Sequence, residues 1–163
     1  MGSGKSHTGH RLAALLNVPF VDLDERLETA AGKTISRIFA EDGETAFREL
    51  ERDLLRATAD ETAVIATGGG APCFHEGMAW MNDNGTTVFL DPPLPVLLAR
   101  LSAGRDHRPL LQELADFEAD IAARLAARRP IYEKAHIHLR PTDPNADVAR
   151  LLSILLAPQE PII

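Results

Sequence analysis

Four short apolar runs alternate along the chain with longer stretches in which apolar residues recur every three or four positions. Pro19-Phe20-Val21-Asp22, Ala63-Val64-Ile65-Ala66, Thr86-Thr87-Val88-Phe89-Leu90 and His136-Ile137-His138-Leu139 have the length and composition of short strands. Between and around them, five groups fall at helical spacing: Leu12, Leu15 and Leu16; Phe47, Leu50, Leu54 and Ala57; Leu94, Leu97, Leu98 and Leu101; Phe117, Ile121 and Leu125; Val148, Leu151, Leu152 and Leu155. The polar, irregular segment from Gly104 to Pro109 reads as a loop. Strands alternating with helices predict an α/β protein whose parallel sheet is covered on both faces. Ligands of such sheets bind beyond the carboxyl ends of the strands. The polar motifs fall there: Asp22 and Asp24, a triple glycine at 68–70, and the loop around Arg108.

The 163 residues suit a single domain spanning 1–163, large enough to bury a core without disulfides or metal staples. Hydrophobic residues make up 45% and charged residues 25%, an ordinary globular balance. The net charge of −7 argues against holding nucleic acid by overall charge. The single cysteine, Cys73, excludes an internal disulfide and fits a reducing compartment. The histidines show no ligand spacing with Cys73, so no zinc site is expected. No apolar run is long enough to span a membrane or to resemble a secretion signal. The expectation is a cytoplasmic monomer.

Gly2-Ser3-Gly4-Lys5-Ser6, followed by a helical stretch, is the back half of the phosphate-loop pattern G-x-x-x-x-G-K-[ST]. Glycines let backbone N–H groups curl around phosphate oxygens, and the helix N-terminus adds positive potential. Lys5 can reach the terminal phosphates and the Ser6 hydroxyl can ligate Mg²⁺. The same residues fit a loose N-myristoylation pattern, but so short a match recurs by chance. The bland alternative is an exposed terminus that happens to contain these residues.

Four further features invite chemistry. Asp22 and Asp24, two apart at a strand end, put both carboxylates on one face while the chain stays extended. They can support Mg²⁺ and hold an acceptor hydroxyl, or Asp24 can simply cap the following helix. Arg48 and Glu51 share a helix, either as a surface ion pair or as a guanidinium fork for a substrate carboxylate, oriented by Glu51. Three consecutive glycines after a buried strand suggest backbone that must approach a ligand closely. Arg105 to Arg108 and Arg128-Arg129 are basic clusters in an acidic chain, which suits anion binding, although a helix C-terminus also favours Arg.

As an ordered set these motifs resemble shikimate kinase. The resemblance runs through Gly2 to Ser6, Asp22-Leu23-Asp24, Ile38-Phe39-Ala40, Gly43-Glu44, Phe47 to Glu51, Gly68-Gly69-Gly70, Arg108 to Leu111 and Arg128 to Tyr132. It implies a three-layer α/β/α P-loop kinase fold with a lid at about 104–116. The implied reaction is transfer of the γ-phosphoryl group of ATP to the 3-hydroxyl of shikimate, in aromatic amino-acid biosynthesis. By resemblance, Gly2, Ser3, Gly4, Lys5, Ser6 and His7 cradle the nucleotide. Lys5 and Arg108 stabilise the transferring phosphoryl, and Ser6 with Asp22 holds Mg²⁺. Asp24 binds ring hydroxyls and accepts the proton, Arg48 and Arg128 clamp the carboxylate, and the Gly69 backbone meets the substrate. Phe39 and Phe47 wall the pocket, and Asn145 lies where the family approaches adenine.

The chain departs from the family pattern in two places. The first strand and first glycine of the phosphate loop are absent, and in the family that strand lies mid-sheet. A chain without it is expected to bare the apolar edges of both neighbours and to be unstable or inactive. His7 stands where the family usually has Thr, which keeps a backbone contact to the α-phosphate but loses a hydroxyl. Two other readings remain: a sister kinase with a gluconate-like acceptor, and a nucleotide-binding module inactive through N-terminal truncation.

Overall fold

The computed structural model describes residues 2–103, 116–141, 143 and 146–156. Helix α1 spans Lys5–Leu16, strand β1 Phe20–Asp22, α2 Leu23–Ala31, α3 Ile35–Glu41 and α4 Gly43–Arg56. Strand β2 is Val64–Ala66, followed by a 3₁₀ turn at Ala71–Cys73 and α5 at Gly77–Asn84. Strand β3 is Val88–Leu90, α6 Leu94–Ala103, α7 Phe117–Tyr132, β4 Ile137–Leu139 and α8 Val148–Leu156. All four expected strands and all five expected helices form.

Three helices carried no periodic signal. In α2 only Leu23 and Leu27 are fully buried, one turn apart, and the rest of the helix is largely polar. The short α3 starts where the Thr34 hydroxyl accepts from the Arg37 amide, an N-cap. Both helices are held by packing: Leu27, Ile38 and Phe47 form one core cluster with α4. A second cluster, Leu12, Ala149 and Leu152, joins α1 to α8 against the strands. A third, Leu97, Leu101 and Ile121, joins α6 to α7.

The strands pair in parallel as expected, β1 with β2 (Val21 opposite Ile65) and β3 with β4 (Phe89 opposite His138). They do not merge into one sheet: among the described residues there are two separate two-stranded pairs. Residues of β2 and of β3 line one cavity of about 630 Å³, together with Leu12, Leu97 and Leu101. No described strand bridges it, and Val64, Ile65, Val88 and Phe89 stay half-buried. Unpaired strand edges of this kind are sites of association.

Asp91, at the carboxyl end of β3, is only 7% exposed. Arg129 donates to both its oxygens, Nη1 to Oδ2 at 2.7 Å and Nη2 to Oδ1 at 2.8 Å. His138 Nε2 lies 2.9 Å from Oδ2, and Arg140 Nε donates to it at 3.2 Å. Burial alone would raise the carboxyl pKa, but Arg129, His138 and Arg140 outweigh it and hold it at about 2, against 3.8 ordinarily. A depressed carboxylate stabilises the fold above its unfolded pKa and loses that contribution as pH falls through the folded value. The loss expected between about pH 4 and pH 2 is about 2 kcal/mol. Urea unfolding at pH 5 and pH 2.5 checks it: Asp91→Asn should lack this part of the acid loss. Equal acid losses in both proteins would show that the clasp contributes nothing.

Candidate active site

The phosphate loop opens α1. Gly4 sits at φ +91° as the N-cap residue, a conformation that a side chain would strain, and Lys5 begins the helix. Among the described residues no side chain caps the helix, which leaves its first amides open to an anion. Arg100 on α6 donates to the Ser3 carbonyl at 3.2 Å and steadies the loop. The Ser6 hydroxyl donates to Asp22 Oδ2 at 3.0 Å, so the pair proposed for the metal is in contact. His7 is exposed on the outer side of the first turn.

The chain is not extended from Asp22 to Asp24, as the two-residue spacing had suggested. Helix α2 begins at Leu23, and Asp22, not Asp24, caps it, its Oδ1 accepting from the Asp24 amide at 3.0 Å. A cap at the strand end turns the chain at once and carries Asp24 into the first helical turn. Burial raises the Asp24 pKa; Lys5 opposes the rise and Asp22 adds to it. Lys5, Asp22 and Asp24 thus form one electrostatic group.

Arg48 and Glu51 are no surface pair. Their side chains are 10% and 4% exposed, with Arg48 Nη1 donating to Glu51 Oε2 at 2.6 Å. Burial raises the Glu51 pKa and the Arg48 hydrogen bond opposes it. The other guanidinium edge donates to Glu44 Oε1, from Nε at 3.2 Å and Nη2 at 3.1 Å. Glu44 is 58% exposed, so this edge faces the accessible side. The Arg48 guanidinium lies 4.1 Å from the Phe74 ring centroid and 4.9 Å from that of Phe47. Phe39 and Phe47 lie 4.5 Å apart, centroid to centroid. Phe47 belongs mainly to the core of α2, α3 and α4.

The triple glycine provides room. None of Gly68, Gly69 and Gly70 has positive φ. A Cβ on Gly68 would lie 2.8 Å from Glu51 Oε1 and 2.9 Å from Asp24 Oδ1. A Cβ on Gly70 would overlap the Arg48 guanidinium. The glycines therefore let α2 and α4 bring Asp24, Glu51 and Arg48 against the backbone after β2. The Gly69 carbonyl accepts from the Tyr132 hydroxyl at 2.5 Å.

Arg128, one turn before Tyr132 on α7, lines the same cavity as Ser3, Lys5, Gly68 and Gly69. Burial raises the Tyr132 pKa and Arg128 opposes it. Arg128 also acts electrostatically on Glu51 and on Cys73, whose pKa burial raises. The structure therefore brings Lys5, Asp24, Arg48, Gly69 and Arg128 together at the carboxyl ends of β1 and β2. Arg108, most of the expected lid and Asn145 lie outside the described residues. Three contributors escaped the sequence reading. Phe74 has no periodic signal, and Glu44 was noted only as part of a motif. Tyr132 was likewise noted only within a motif, and its i+4 spacing from Arg128 is the hint that the two share a face.

Gly70→Ala tests the spacing. Arg48 must move, because the added methyl overlaps its guanidinium. The expected result is a rise of about 10-fold or more in the KM for a carboxylate substrate, since a 1 Å misplacement can cost ~100-fold. The KM for nucleotide should change little, and the Tm should fall, because the displaced Nη1 is the atom that pairs with buried Glu51. Steady-state kinetics with a melting curve checks it.

The shikimate kinase family model matches residues 1–155. The chain belongs to the shikimate kinase family. As a member it is an enzyme, an ATP-dependent kinase acting on shikimate, with the P-loop kinase fold of that family. A shikimate kinase of Bacteroides fragilis is 46% identical over 142 residues, covering 83% of this chain and 78% of that protein. The solved shikimate kinase of Bacteroides thetaiotaomicron superposes with a TM-score of 0.88 at 40% identity, covering 95% of this chain and 93% of its own. That of Acinetobacter baumannii, solved in complex with shikimate, gives 0.85 at 34% identity, covering 96% and 88%. No helix among the described residues is long and apolar enough to cross a membrane.

Proposed function

We propose that this chain transfers the γ-phosphoryl group of ATP to the 3-hydroxyl of shikimate, giving shikimate 3-phosphate in aromatic amino-acid biosynthesis. The observation that carries this reading is the meeting of Arg48 and Arg128 with Asp24 around the glycine turn, beside the phosphate loop. Two guanidiniums suit a carboxylate and one carboxylate suits ring hydroxyls, the pattern of a small polyhydroxylated acid.

The roles follow from position. Backbone amides of Gly2 to His7 cradle the phosphates, and Lys5 meets the charge that spreads over the transferring phosphoryl. By resemblance to the family, and not by position, Arg108 joins it and the 104–116 segment serves as a lid. Arg48 and Arg128 clamp the carboxylate, and the Gly69 backbone seats the ring. Asp24 orients the acceptor hydroxyl and takes its proton; its raised pKa makes it a better base than an ordinary aspartate. The Ser6 hydroxyl and the Asp22 carboxylate are hard oxygen donors in contact, which fits Mg²⁺. When bound, Mg²⁺ neutralises charge on the β- and γ-phosphates. The enzyme works as a cytoplasmic, single-domain monomer.

Product analysis tests the reading. Incubation with MgATP and shikimate should give one phosphomonoester at the 3-position by phosphorus and proton NMR, with none from gluconate and none in excess EDTA. Phosphorylation at another hydroxyl, or of gluconate at a comparable rate, would overturn it.

A further inference from the structure

Helix α7 is tied down on two adjacent faces. Arg128 and Tyr132, one turn apart, face the glycine turn, where the Tyr132 hydroxyl meets the Gly69 carbonyl. Arg129, the next residue, lies about 100° further around the axis and grips Asp91 with both Nη atoms. Gly69 follows β2 and Asp91 follows β3, so the two ties fasten α7 to the two separate strand pairs. Successive helical residues differ by about 100° around the axis, so fixing Arg129 fixes where Arg128 points.

We propose that Asp91 is a positioning residue for substrate binding: through Arg129 it sets the rotation of α7 about its axis and so places Arg128 opposite Arg48. The inference rests on the reading of Arg128 as a carboxylate ligand. The construction of the tie supports a positioning role. The Arg129 fork engages both oxygens of a buried carboxylate, which fixes direction as well as distance. His138 and Arg140, from β4 and just beyond it, meet the same carboxylate, and the Phe89 and His138 rings stack at 4.7 Å. Asp91 itself is anchored by its amide, which donates to the Leu139 carbonyl at 2.8 Å. The hub is therefore rigid on the strand side, and α7 is the element that it orients. Pro130 lies next to Arg129 inside α7. A proline cannot donate the backbone bond that would otherwise brace this turn, so side-chain ties have more to hold.

The test compares Asp91→Asn and Arg129→Gln with the unmodified chain. Each should raise the KM for shikimate about 10-fold, with the KM for ATP within about 2-fold. The double variant should be no worse than either single one, because both remove the same tie. Simple loss of stability would lower the active fraction and hence the maximal rate, leaving KM unchanged. Unchanged shikimate KM in both variants, or additive losses, would overturn the proposal. Hydrogen exchange provides a readout independent of turnover. Both variants should lose protection over residues 125–132 while α1 and α4 keep theirs. Unchanged exchange there would also overturn it. If the unmodified chain fails to use shikimate, the reading of the site fails, while the exchange result still judges the tie.

Discussion

Arg48→Ala is expected to raise the shikimate KM by about 100-fold and to leave the ATP KM within about 2-fold. Charge-assisted hydrogen bonds contribute roughly 1.5–3 kcal/mol each, and the guanidinium offers the substrate an entire edge. That edge is now held by Glu44, which is mostly exposed and can swing aside. The opposite edge stays on Glu51, which is almost fully buried. Removing Arg48 therefore also strands Glu51, and breaking a buried pair costs about 3–5 kcal/mol. Stability must be measured beside kinetics, and Arg48→Lys separates the two effects. Lysine keeps a positive charge near Glu51 but loses the two-pronged edge, so stability should recover further than shikimate KM does. Equal losses for shikimate and ATP in Arg48→Ala would remove the carboxylate role.

Lys5→Ala is expected to lower kcat by about 100- to 1,000-fold, the usual cost of deleting one donor aimed at developing charge. Lys5 stands at the first turn of α1, beside amides that no side chain caps, and its charge reaches Asp24. The loss should fall on kcat more than on shikimate KM, because the developing phosphoryl charge is strongest in the transition state. Without the lysine, the Asp24 pKa should rise further, since Lys5 is the largest influence opposing burial. A pH–rate profile of the variant should show its acid limb displaced to higher pH. An unchanged kcat would mean that Lys5 is not at the phosphoryl group.

These expectations use features that were visible in the sequence to different degrees. The strands were legible because each is a compact apolar run, and the phosphate loop because its residue types are few and tightly spaced. The Arg48–Glu51 pair was legible as helical spacing, but its burial was not, since burial depends on what α2 and the glycine turn bring to it. The triple glycine was legible as a demand for closeness. The reason is space for Asp24, Glu51 and Arg48 rather than an unusual backbone. Helix α2 was hidden because only two leucines mark its inner face, and because Asp22 ends the strand and caps the helix in one residue. The ties of Tyr132 to Gly69 and of Arg129 to Asp91 join positions 63 and 38 residues apart, and no local pattern announces such contacts. Alternation predicted the parallel pairing that forms, and the facing edges of β2 and β3, unpaired among the described residues, are the bared edges that the family resemblance led one to expect.

The most direct test of the account is ADP release from MgATP by the purified, folded chain, with and without shikimate. Slow release is expected with MgATP alone and release at least ~100-fold faster when shikimate is added, because the site stabilises charge productively only with the acceptor clamped between Arg48 and Arg128. ADP release that shikimate does not change, from a chain that folds and binds ATP, would contradict it.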